Sequence, residues 1–129
     1  MRRSVFAGPA LALSLVLLGA TAGHATPTTS KGQISVAQVL EMVDLAKSDP
    51  AARMTVIAYL AGVGETAGIL LSEAQQRGAT PMSCSKSFNL DETVVASALT
   101  AAVPDQAGWA ETPATPIVVA DLFKRAGCH

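Results

Sequence analysis

The sequence predicts an all-α fold: a small single-domain helical bundle of about four helices with one disulfide. Three observations carry this. Each sustained apolar segment repeats at three and four positions and is bounded by residues that cap helices. No run alternates apolar and polar residues with β-branched or aromatic enrichment, as a half-buried strand would. Finally, the only two cysteines, Cys84 and Cys128, follow what reads as an export leader.

The stretch that organises the rest runs from Asp49 to Gly78 and reads as one long helix. Asp49 can accept hydrogen bonds from the first turn, Pro50 fits the first helical position, and Gly78 suits the left-handed residue just past the end. Val56, Leu60, Val63, Ala67, Leu70 and Ala74 form one apolar stripe; Met54, Ile57, Ala61, Gly64, Gly68 and Leu71 form another. A helix apolar on two sides is expected at the centre of the fold. Gly62, Gly64 and Gly68 each cost roughly 1 kcal/mol of helix propensity relative to Ala, so they are read as helix-packing positions where a neighbouring helix comes close.

At the start, Arg2-Arg3, an apolar run from Ala10 to Leu18 and small residues through Ala25 have the order of a secretory signal peptide, cut between Ala22 and Ala25. The apolar run is shorter than the roughly 20 residues a span needs, so no membrane segment is expected after cleavage. Arg2-Arg3 also fits twin-arginine export; the general route is taken here. Removing residues 1–25 leaves 104, which suits one domain. It also leaves 7 basic against 10 acidic residues, a net charge of −3, with no basic cluster to bind nucleic acid.

Residues 26–34 are polar and Pro-containing and are expected to be a flexible arm, leaving 35–129 as the helical domain. Ser35 should cap a first helix with Val36, Val39, Leu40, Val43 and Ala46 inward. A third helix is expected to start at Asn89, with Glu92 completing a capping box, and to end at Pro104. Thr112-Pro113 and Thr115-Pro116 are alternative starts for a fourth, whose inner face is Val118, Val119, Leu122, Phe123 and Ala126 and whose stop is Gly127.

Little in this inventory supports catalysis, and no catalytic residue is assigned. Gly62-Val63-Gly64-Glu65-Thr66-Ala67-Gly68 has the wrong spacing for a phosphate loop and lies inside a helix. Glu65 is read as a solvated or ion-paired carboxylate, since Glu73, eight residues on, sits at another height of the same helix. After cleavage the only histidine is His129, too little for a Ser-His-Asp triad. Two cysteines without a C-x-x-C spacing make a poor metal set, so neither metal nor cofactor is expected. A structural disulfide between Cys84 and Cys128 is the expected use of the pair, joining the start of the third helix to the end of the fourth.

From Tyr59 onward the chain resembles the Rap/Tai-type immunity proteins. The resemblance rests on Ala58-Tyr59-Leu60-Ala61-Gly62-Val63, on Cys84 before a helix with Val94, Val95 and Leu99, and on Pro104, an apolar last helix and Cys128. It covers roughly Val56 to Cys128 and departs from the family at Ser85-Lys86 and Gly127. It implies a non-catalytic periplasmic or secreted helical protein that neutralises a type VI secretion cell-wall amidase toxin by protein-protein binding. The contrasting expectation is a periplasmic structural or chaperone-like protein with no toxin partner. A homodimer is compatible with these residues, which specify no oligomeric state.

An inhibitor that plugs a cleft needs a protruding segment, and Asp105 to Thr115 is the expected one. Trp109 would be its apolar anchor, with Asp105 and Glu111 as acidic flanks; a Trp109 folded onto the core is the competing expectation. Phe88, beside a cap, is expected to fold back over the core.

Overall fold

Ser35 and Asp49 cap the first two helices as their sequences require. A computed structural model describes residues 28–79 and 83–129; the expected leader and its cleavage site lie outside them. Four α-helices follow in order among the described residues: α1 (Val36–Leu45), α2 (Pro50–Gln76), α3 (Glu92–Ala102) and α4 (Ala114–Ala126), with a single 3₁₀ turn at Gln106–Gly108. The fold class is the all-α bundle expected. Ser35 Oγ accepts from Gln38 N at 3.1 Å, and Asp49 Oδ1 accepts from Ala51 N at 2.8 Å. Gly78 and Gly127 both take φ of 64°, the left-handed stop that glycine permits.

The core is built where all four helices meet. Val36 and Val39 of α1, Val56 and Leu60 of α2, Val95 and Leu99 of α3, and Ala114 and Val118 of α4 form one buried cluster. Burying a side chain of this size contributes roughly 1.5–3 kcal/mol. These contacts use the first half of α2, on which α1 packs. Beyond Ala67 the helix has only α4 and the approach to α3 beside it. Met54, Ile57, Ile69 and Leu70 remain exposed, Ile69 by 62% and Leu70 by 63%. Only the first apolar stripe is a core stripe, so α2 is central along half its length.

Three further expectations are corrected. The third helix starts at Glu92 and is capped by Asp91, whose Oδ1 accepts from Val94 N at 2.9 Å. Asn89 lies outside the helix, where its carbonyl accepts from Arg125 Nη2 at 3.0 Å. Neither Thr112 nor Thr115 caps α4: Pro113 stands at that position, and the free Ala114 N–H donates to Ile34 O at 2.9 Å. The same pairing, with Val36 N donating to Thr112 O at 2.9 Å, binds the segment expected to be a loose arm. Thr29 within it is only 4% exposed. Two strand-like backbone hydrogen bonds and a buried Thr29 fix residues 28–34 onto the bundle, because these donors and acceptors would otherwise lack partners in a buried place.

Candidate functional site

Cys84 and Cys128 form the expected disulfide. It joins the connection between α2 and α3, rather than the start of α3, to the segment after α4. Around it Ser83 and His129 exchange backbone hydrogen bonds at 3.1 Å each way, and Lys86 N donates to Ala126 O at 3.0 Å. The end of the chain is thus held as an extended tail against residues 83–86. His129 is exposed, its Nδ1 3.1 Å from Gly127 O. Among the described residues, no three His, Cys, Asp or Glu side chains gather in a metal-binding group.

Asp105, Trp109 and Glu111, expected on a protruding loop, are each engaged within the chain. Asp105 Oδ1 caps the 3₁₀ turn, accepting from Ala107 N at 3.0 Å. Trp109 is half-buried against the core and donates its indole N–H to Val103 O at 2.8 Å. Glu111 accepts from Ser30 Oγ at 2.8 Å and Ser30 N at 3.1 Å. Those two bonds, the hydroxyl's first and the backbone's second, hold the Glu111 carboxyl below its ordinary range. The segment folds back through its Trp109 ring, while the Asp105 and Glu111 carboxylates stay exposed and accept hydrogen bonds from Ala107 and Ser30.

Two grooves, among several concave surfaces, lie on either side of α2. One groove, of about 760 Å³, runs between the second half of α2 and α4. Its walls are Val63, Ala67, Leu70, Val119 and Phe123, and at one end the Tyr59 and Thr115 hydroxyls pair at 3.0 Å. Burial raises the Tyr59 hydroxyl pKa and the bond from Thr115 partly opposes it. The other groove, of about 510 Å³, lies between α2 and the residues leading into α3. Ile57, Ala61, Phe88 and Leu90 form its floor, and Glu65, Asp91, Glu92 and Arg53 stand around it. Arg53 lies 3.7 Å from Glu92, which leaves the rim acidic on balance.

The three helix glycines do not admit a neighbouring helix. A Cβ at Gly64 would meet Leu90 Cδ1 at 3.7 Å and one at Gly68 would meet Phe88 Cε2 at 4.0 Å, while nothing lies within 4 Å of one at Gly62. Gly64 and Gly68 therefore sit beneath the side chains that approach α3, and Gly62 faces open space. Phe88 covers this part of α2 as expected, its ring 5.6 Å from that of Phe123. Sequence reasoning missed the acid-rimmed groove, whose signal was Phe88-Asn89-Leu90 placed just before two acids and across from Glu65. No family model, curated protein or solved structure matches the chain.

Proposed function

We propose that this is a non-catalytic binding protein of an oxidising compartment, periplasmic or secreted, that neutralises a cell-wall amidase by binding it, as its resemblance to the Rap/Tai immunity proteins implies. The observation that carries the reading is the groove between α2 and the approach to α3: an apolar floor of Ile57, Phe88 and Leu90 beneath Glu65, Asp91 and Glu92. Such a surface fits a partner segment with an apolar side chain beside a Lys or Arg, since the floor shields the first from water and the rim attracts the second. The Cys84–Cys128 disulfide supports the compartment.

The test is to add the purified protein to cell-wall amidases delivered by type VI secretion and follow peptidoglycan amide hydrolysis. The expected result is inhibition at one-to-one stoichiometry with a cognate enzyme, weakened by salt and by Glu65→Lys. If a panel of such amidases gives neither inhibition nor a complex, the reading fails.

A further inference from the structure

We infer that the partner enters the acid-rimmed groove as an extended segment, paired through its backbone to the free edge of residues 87–91 as an added β-strand. The inference rests on that groove being the contact surface and names what fills it.

Ser87 to Asp91 run without turn or bend, and Asp91 is extended, with φ −134° and ψ 167°. The contacts with α2 give the same geometry. A Cβ at Gly68 would meet Phe88 and one at Gly64 would meet Leu90. Those glycines stand about 6 Å apart along the helix, and alternate residues of a strand stand about 6.6 Å apart. Phe88 and Leu90 thus sit one turn apart on α2, with their segment running antiparallel to it.

In such a segment the N–H and C=O of one residue leave by the same edge, and those of the next residue by the opposite edge. Asn89 O lies on the edge toward α4, where it accepts from Arg125. Phe88 and Leu90 therefore present two donors and two acceptors on the other edge, and no hydrogen bond among the described residues uses them. An unpaired edge of this kind is a template for a strand from another chain.

The added strand lies beside Phe88 and Leu90, over Ile57 and Ala61. From Arg53 to Glu65 the groove follows α2 for about 18 Å, the length of about five extended residues. Glu65 stands at one end, and at the other Asp91 and Glu92 outweigh Arg53. The first, third and fifth residues of the strand face the groove. Charge and floor together select Lys or Arg at the first and fifth positions and an apolar side chain at the third. A helical segment, whose backbone groups are paired within itself, makes no use of the edge.

The probe is the peptide acetyl-Lys-Thr-Val-Thr-Lys-amide, titrated to about 5 mM into isotope-labelled protein with no amidase present, because so short a contact binds weakly. NMR shifts are expected at residues 57–65 and 87–92, with slowed exchange of the Phe88 and Leu90 amide protons and not of Asn89's. The same peptide N-methylated at valine, which removes one donor from the pairing edge, should bind at least roughly ten-fold more weakly. Glu65→Lys should weaken the unmethylated peptide. Absence of shifts at those residues overturns the inference. Equal binding of the methylated peptide, or unslowed exchange at Phe88 and Leu90, also overturns it, since a segment docked by side chains alone gives both. Inhibition of an amidase without pairing of the peptide strikes this inference and leaves the proposed function; pairing without inhibition of any amidase does the reverse.

Discussion

Replacing Gly64 and Gly68 with alanine should stabilise the protein. If a helix packed against these positions, added methyl groups would overpack the contact and lower stability by roughly 1–3 kcal/mol. The structure predicts the opposite sign. The new Cβ atoms would lie 3.7 Å from Leu90 Cδ1 and 4.0 Å from Phe88 Cε2, ordinary contact distances that require no shift. What remains is the helix-propensity difference, about 0.8–1.0 kcal/mol per site, so the double variant should gain about 2 kcal/mol. For a domain of this size each kcal/mol raises Tm by about 4–8 °C, which puts the double variant at least about 8 °C above wild type. Thermal unfolding at matched protein concentration, together with urea titration, measures both quantities. A lower Tm in either single variant would refute the reasoning, because it would mean that something rigid lies where the structure places the ends of Leu90 and Phe88.

Four further outcomes follow. Converting both Cys84 and Cys128 to serine should cost about 4 kcal/mol in urea titration, from the loop entropy of a 44-residue separation, and Ellman titration of the folded wild type should find no thiol. Gly127→Ala should lower Tm, because φ is 64° there and a Cβ would collide with Ser85 Oγ. Trp109→Ala should lose roughly 2–3 kcal/mol, less than a fully buried ring, with wild-type emission blue-shifted and partly protected from quencher. Glu111 should titrate below the ordinary carboxyl range by NMR and rise in Ser30→Ala. Its folded pKa is the depressed one, so the Ser30–Glu111 tie supports folding above the unfolded value and is lost as pH falls through the folded one.

The helix ends were legible in the sequence where the cap is local. Ser35, Asp49-Pro50 and Gly127 act on their own first or last turn, and nothing distant competes with them. The start of α3 was misplaced by two residues because Asn89 and Asp91 both suit a cap, and the choice depends on Arg125, 36 positions away, holding Asn89 O. The docked arm was illegible for the same reason: its partners, Glu111 and Ala114, are remote. The uncovered face of α2 had a different cause. Periodicity shows which faces are apolar but not whether enough protein exists to cover them. At 1.5 Å per residue α2 is about 40 Å long, whereas the helices packed along it, α1 with 10 residues and α4 with 13, reach only about 15 and 20 Å. Part of α2 must stay bare. The candidate groove escaped notice because its floor and rim come from residues on two segments that meet only after folding.

The pairing of residues 30–36 with residues 109–114 bears on when this chain can fold. Helical bundles usually fold fast because their contacts are near in sequence. Here the first helix is finished by the last quarter of the chain: Ser30 and Glu111 are 81 positions apart, and Ala37 N donates to Trp109 O. Entropy must therefore be spent closing a loop of some 80 residues before α1 gains its full cover. Slower folding than in a bundle whose contacts are all local is the expected consequence, since the cover of α1 depends on residues 109–114.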